Sequence, residues 1–247
     1  MSCIVFEPAE MIVVTSPKCG STTVLDLCLR LADVPIEAET FRKHADRMIA
    51  DGISKRHGVF VHSVASETLD YLQRHYPGFR FAAVARNPYE RVVSGYRNKL
   101  NRYAKAFHRK AYYYGKVRQF LEGPRAWADV ERGNRHMQSR IPFERFLEGL
   151  EQHGVGFDIH FDRQTRLLAL DRLKHDRILR LENLEGAFLE LLQEQGVPAE
   201  MRARIVHAAP RNRSKVGLRQ SALLTDATRP RIARLYAEDF ARLGYSV

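Results

Sequence analysis

The chain has 247 residues, 45% hydrophobic and 28% charged, which suits one α/β domain of ordinary size and excludes wholesale disorder, collagen and coiled coil. Lysine and arginine number 40 against 29 aspartates and glutamates, and the net charge of +11 points to an anionic partner without saying which anion. No run of about 18 apolar residues occurs, so no transmembrane segment is expected.

The three cysteines, Cys3, Cys19 and Cys28, form no CxxC pair and are too few for a disulfide framework. Cys28 reads as a small buried hydrophobe. The start, Met1-Ser2-Cys3-Ile4-Val5-Phe6, lacks a basic n-region and a long apolar stretch. A cytoplasmic location with reduced thiols is therefore expected.

Met11-Ile12-Val13-Val14-Thr15 is a short apolar, β-branched run and predicts a buried strand. Ser16 to Gly20 follows as a loop, and Ser21–Ala32 as a helix with Val24, Leu25, Cys28, Leu31 and Ala32 inward and Asp26 and Arg30 outward. Gly58–His62 predicts a second strand, Ser66–Arg74 a helix with Leu69 and Leu72 inward, and Phe79–Ala85 a third strand. Strands alternating with helices predict βαβ units and a parallel sheet. Asn87-Pro88-Tyr89-Glu90 carries helix-start signals, and the helix is expected to run to about Tyr103. Its core side gathers Val92, Val93, Tyr96, Leu100 and Tyr103; its polar side gathers Ser94, Arg97, Asn98 and Asn101. Residues 102–118 are basic and aromatic. Further helices are expected from Ile141 through Leu150, over Leu184–Gln195 and over Pro230–Leu243, with a fourth strand at Arg177–Leu181 and a basic loop at Pro210–Gly217. Nothing divides the chain, and residues 1–247 are expected to form a single domain.

Two constellations carry chemistry. The first is Thr15-Ser16-Pro17-Lys18-Cys19-Gly20-Ser21-Thr22-Thr23, leading from a strand into a helix. Such a loop offers backbone N–H groups to an anion; Gly20 permits close approach, the hydroxyls add donors and Lys18 adds a charge. The same residues also describe an ordinary strand–helix turn with a surface lysine. The GxxxxGK[ST] phosphate loop is absent, as is a strand-end aspartate for Mg²⁺, which disfavours a kinase. The second constellation is Arg86, Ser94, Arg97 and Asn98. Arg86 directly follows a strand, where α/β sheets place ligand groups, and arginine with serine suits a second phosphate. The alternative is a solvated helix face.

Pro17-Lys18-Cys19-Gly20-Ser21-Thr22 resembles the 5′-phosphosulfate loop of sulfotransferases, and Phe81 through Asn98 resembles their 3′-phosphate motif. The match is most similar to carbohydrate sulfotransferases of the chondroitin and HNK-1 type and their bacterial relatives. His62-Ser63-Val64-Ala65-Ser66-Glu67, Asp158 through Gln164, Leu181-Glu182-Asn183-Leu184, Arg211-Asn212-Arg213-Ser214 and Tyr236 through Tyr245 resemble further family segments. Phe161 and Asp162 depart from the family pattern, in which His is followed by Trp. Residues 102–157 match weakly.

The resemblance implies a P-loop-like sulfotransferase fold, a central parallel β-sheet flanked by helices. It implies an enzyme that uses 3′-phosphoadenosine-5′-phosphosulfate (PAPS) as donor, releases 3′-phosphoadenosine-5′-phosphate (PAP) and needs no metal. The acceptor would be a hydroxyl of a carbohydrate or glycolipid. Pro17, Lys18, Cys19, Gly20, Ser21, Thr22 and Thr23 would hold the 5′ end and Lys18 the leaving group; Arg86 and Ser94 would hold the 3′-phosphate, and Asn212 and Ser214 would close over the nucleotide. His62, at a strand end, is the expected base, because imidazole titrates near neutrality; a structural hydrogen bond is its other reading. His57 and His160 come next, with His160 and Arg97 expected at the acceptor. Glu182 either orients a site residue or caps the next helix. The 102–118 stretch either grips an acidic glycan or forms a solvated basic helix. Alternative acceptors are a small alcohol, a phenol or a peptide tyrosine. The non-enzyme alternative is a basic nucleic-acid-binding protein. It leaves the paired phosphate loops unexplained, so nucleic acid is not the expected partner.

Overall fold

The computed structural model describes residues 2–34, 52–63, 66–101, 117–121, 123, 141–206 and 222–247. In chain order the regular elements begin with β1 (Ser2–Phe6), β2 (Met11–Thr15), α1 (Ser21–Leu31), α2 (Ile53–Arg56), β3 (Val59–Ser63), α3 (Ser66–His75), β4 (Arg80–Ala85) and α4 (Pro88–Tyr96). They continue with α5 (Phe143–His153), α6 (Gln164–Leu167), β5 (Arg177–Arg180), α7 (Leu184–Glu194), α8 (Ala199–Val206), α9 (Arg229–Leu235) and α10 (Ala237–Leu243). They divide between two compact units, Met1–Asn87 with Gln164–Arg213, and Pro88–Arg163 with Ser214–Val247.

The first unit holds a five-stranded sheet in the order β3-β1-β2-β4-β5. The α/β class is as expected, but the sheet is mixed rather than parallel throughout. β2, β4 and β5 pair in parallel, whereas β1 runs antiparallel to both β2 and β3. The cause is the short Glu7–Glu10 connection, closed by a hydrogen bond from Glu10 N–H to the Glu7 carbonyl at 3.0 Å. So few residues can join only antiparallel neighbours. β1 itself was not foreseen from the sequence: Ser2–Phe6 is short and its apolar run is interrupted neither by period nor by turn signals. Because β1 reverses twice, β2, β3, β4 and β5 all end on one edge of the sheet.

Alternate residues set the two sheet faces. Ile4, Met11, Val13, Ala82, Val84 and Leu179 pack with Val24, Leu27, Cys28 and Leu31 of α1 and Leu184, Phe188 and Leu191 of α7. The inward face of α1 is the expected one. Asp26 is not outward, however: it is buried and pairs with Arg30 one turn on at 3.1 Å, which neutralises a charge that could not be buried alone.

The second unit is helical in its described residues. Val92, Val93, Tyr96 and Leu100 pack with Phe143, Phe146, Leu147, Phe161, Ile232, Tyr236 and Phe240. Two expected helices are modified. α4 ends at Tyr96 and passes into a π-helical turn over Arg97–Asn101, and the closing helix is two segments parted at Tyr236. The Tyr236 hydroxyl is buried and donates to the Phe161 carbonyl at 2.6 Å, while its backbone leaves helical geometry at φ −118°. Burial of that ring, rather than helix periodicity, decides the break. The departing residues of the sequence pattern are structural here: Phe161 lies in the core against Phe146, with ring centres 4.7 Å apart, and Asp162 Oδ1 accepts the Arg163 N–H at 2.9 Å.

Arg91 is the cation that helix periodicity did not single out. It is 1% exposed and donates to the carbonyls of Asp162 at 2.7 Å and Ile159 at 3.4 Å, holding the segment before α6. Replacing it with methionine keeps the volume and strands those carbonyls. Arg91→Met is expected to lower unfolding free energy by about 2–3 kcal/mol, read from urea denaturation with an unchanged slope.

Candidate functional site

The carboxyl edge of the sheet in the first unit carries the site. β2 and β4 are parallel neighbours, with Thr15 level with Val84, so the loop after Thr15 and the residue after Ala85 emerge side by side. This is the sheet position at which open α/β folds bind ligands.

Two residues in the loop have left-handed backbones. Lys18 has φ +72° and Gly20 has φ +81°. The Lys18 conformation is costly for a residue with a side chain, by about 1–2 kcal/mol. Its carbonyl is held by Nη1 of Arg86 at 3.2 Å, so the strand-end arginine stabilises the strained turn. Gly20 is the residue before α1, and no side chain caps that helix. The first N–H groups of an 11-residue helix therefore face the loop without a side-chain acceptor, flanked by half-buried Ser21, Thr22 and Thr23. A Cβ on Gly20 would meet Cδ1 of Leu181, which would have to turn aside, and the left-handed backbone disfavours any residue but glycine.

The loop is joined to Arg86 from beneath by a buried polar chain. The Ser16 hydroxyl donates to Cys19 Sγ at 3.0 Å, and the Cys19 thiol donates to Gln164 Oε1 at 3.0 Å. The same oxygen accepts the Arg86 main-chain N–H at 2.9 Å, and Gln164 Nε2 donates to the Arg86 carbonyl at 2.8 Å. Next to it, Glu182 Oε1 accepts the Asn87 N–H at 2.8 Å. Glu182 thus orients the residue after Arg86, and no side chain caps the helix that follows it. Gln164 was not singled out from sequence. The only signal for Gln164 was its place at the end of the Asp158–Gln164 segment.

His62 is the penultimate residue of β3, near the same edge. It is level with Cys3 of β1, which is level with Val14 of β2, so two strand spacings of about 5 Å separate it laterally from β2. Its Nε2 is buried with no hydrogen-bond partner among the described residues. Burial and the nearby Lys55 charge hold its pKa below the ordinary 6.5. The runner-up His57 lies at the opposite edge, ahead of β3, with Nδ1 donating to the Ala32 carbonyl at 3.0 Å.

The other sequence candidates belong to the second unit or lie outside the description. Ser94 is half-buried on α4, and Arg97 opens the π-helical turn. His160 Nδ1 lies 2.6 Å from Asp158 Oδ1, and its N–H donates to the same oxygen at 2.8 Å. Asn212 and Ser214, and residues 102–116 of the basic stretch, lie outside the described residues.

A strained loop at a helix start without a side-chain cap, a lysine within it and an arginine after the neighbouring strand bring together the donor types that suit an anionic group. The profile of the sulfotransferase family matches residues 2–246. The chain belongs to the sulfotransferase family. Among curated proteins, carbohydrate sulfotransferase 8 of Mus musculus is 27% identical over 167 residues, 65% of this chain and 38% of that protein. This sulfotransferase chain thus aligns with well under half the length of that relative. No solved structure matches it. The resemblance read from the Lys18 loop and the Arg86 motif holds at the level of the family.

Two measurements follow from the geometry. Gly20→Ala is expected to cost about 1–2 kcal/mol of stability by thermal or urea unfolding, with a larger loss of anion affinity than of stability. For His62 the sign runs with acid. A folded pKa below 6.5 means the unfolded chain binds more protons, so stability is full above pH 6.5 and falls as pH drops below it. His62→Gln is expected to flatten the loss of stability as pH first falls below 6.5, in unfolding titrations. The loss that remains there is assigned to His175, whose burial also lowers its pKa.

Proposed function

We propose that this sulfotransferase moves a sulfuryl group from PAPS to a hydroxyl of a carbohydrate or glycolipid. The observation that carries the reading is the juxtaposition, on adjacent parallel strand ends, of the Lys18–Gly20 loop and Arg86. The donor set fits a nucleotide with anionic groups at both ends: helix N–H groups, hydroxyls and an ammonium on one side, a guanidinium on the other. The name of the mouse relative supports a carbohydrate acceptor.

In the proposed reaction the sulfur–oxygen bond to the 5′-phosphate breaks as a sulfur–oxygen bond to the acceptor forms. PAP leaves with the additional negative charge, which Lys18 and the N–H groups of Ser21, Thr22 and Thr23 stabilise. The acceptor proton passes to His62, whose lowered pKa keeps its imidazole neutral and able to accept it near pH 7. Pro17, Cys19 and Gly20 shape the loop. Ser94 at the 3′-phosphate, Arg97 and His160 at the acceptor, and Asn212 and Ser214 over the nucleotide keep the roles that the resemblance implies. Residues 1–247 act as one domain in this reading.

Calorimetric titration with PAP tests the donor site. Wild type is expected to bind with micromolar affinity, and Lys18→Ala and Arg86→Ala each to weaken binding about tenfold or more, the scale of one charge-assisted contact. His62→Ala is expected to keep PAP affinity and lose about 10²- to 10⁴-fold in turnover against a glycan panel. Turnover only on phenols or peptide tyrosine would move the acceptor to those classes. Salt-sensitive nucleic-acid binding without PAP binding would support the non-enzyme alternative.

A further inference from the structure

Gln164 has no role in the chemistry above, yet it is completely buried, and its side-chain amide touches both anion-binding segments. An amide with an accepting and a donating end can copy a strand's hydrogen-bonding pattern. Gln164 does so on Arg86: Oε1 accepts the Arg86 N–H at 2.9 Å, and Nε2 donates to the Arg86 carbonyl at 2.8 Å. These two contacts fix which end of the amide points where. The second lone pair of Oε1 then takes the Cys19 thiol at 3.0 Å, and Cys19 Sγ takes the Ser16 hydroxyl at 3.0 Å. Arg86 returns to the loop through Nη1 on the Lys18 carbonyl at 3.2 Å, closing a ring of contacts.

No other buried side chain among these contacts bonds both segments. The strand pairing sets where β2 and β4 end, but it does not reach Cys19 or Arg86, whose register stops at Thr15 and Val84. Beyond that register, loop and arginine are tied by the amide from beneath and by the Arg86 guanidinium on the Lys18 carbonyl. A buried network with every member satisfied holds one geometry, and loss of one member costs more than its own bond.

We propose that Gln164 is a positioning residue that sets the spacing between the Lys18–Gly20 loop and Arg86, and so makes the site selective for nucleotides phosphorylated at both ends. The proposal rests on the donor reading given above. A ligand with one anionic end needs only the loop. A ligand with two needs loop and arginine at a fixed separation, so spacing enters the affinity only for the second kind. Cys19 acts in the same chain as a relay: its thiol passes the constraint from Ser16 to the amide.

The test is a comparison of two ligands, adenosine 3′,5′-bisphosphate and adenosine 5′-monophosphate, by calorimetry on the full chain. Wild type is expected to prefer the bisphosphate by about tenfold or more. Gln164→Glu keeps the shape and removes the donor to the Arg86 carbonyl. It is expected to bring the preference below about threefold while monophosphate affinity changes by less than about threefold. Cys19→Ala, which leaves both amide contacts with Arg86 in place, is expected to lower the preference part of the way, and Cys19→Ser to restore it; this pair decides the matter if Gln164→Glu does not fold. Equal weakening of both ligands, with the preference kept, would mean a purely structural glutamine and overturn the proposal. Failure of wild type to prefer the bisphosphate would instead overturn the donor reading, and the positioning role with it.

Discussion

Parallel pairing of β2 with β4 is the constraint on which the site depends. Thr15 and Val84 stand level in the ladder, so two chain segments about 70 residues apart leave the sheet together and in the same direction. An antiparallel neighbour would send one of them to the far edge. The helices pack where they do for a related reason. Both α1 and α7 follow strands at this edge and fold back over one sheet face, burying Val24, Cys28, Phe188 and Leu191 against Met11, Val13 and Val84.

Stability and function are opposed within the loop. Lys18 in a left-handed conformation and an uncapped helix start are both unfavourable in a free chain. They persist because neighbours over-determine them. Arg86 holds the Lys18 carbonyl, Cys19 is pinned between Ser16 and Gln164, and Leu181 packs against Gly20. What the fold retains in exchange is a helix start whose first N–H groups have no side-chain acceptor.

Electrostatics sorts the charged residues by environment rather than by number. The net charge of +11 raises the local concentration of any anion but selects none. Selection needs charges that the fold immobilises: Arg86 tied to the loop in the first unit, and Arg91 buried against backbone carbonyls in the second, serve quite different ends. Ion pairs such as Arg172 with Asp70 are half-exposed and contribute little to stability. His62 differs from all of these, since burial and the Lys55 charge disfavour its charged form.

The sequence by itself determined the elements that local pattern controls. The β-branched run 11–15, the loop rich in small and hydroxyl residues, the helix after it and the strand just before Arg86 were all legible, because strand period, breaker residues and helix-start signals act over a few residues. The family followed from the same two motifs. Only the tertiary structure decided the rest. Ser2–Phe6 enters the sheet between β3 and β2, so His62 stands two strands from the loop rather than beside it. Tyr236 breaks the closing helix because its hydroxyl is drawn into the core of the second unit. Gln164 meets Cys19 across 145 residues. A buried amide carries no periodicity and no charge, and its partners are main-chain groups that every residue possesses, so nothing in the sequence marks it until folding brings those groups together.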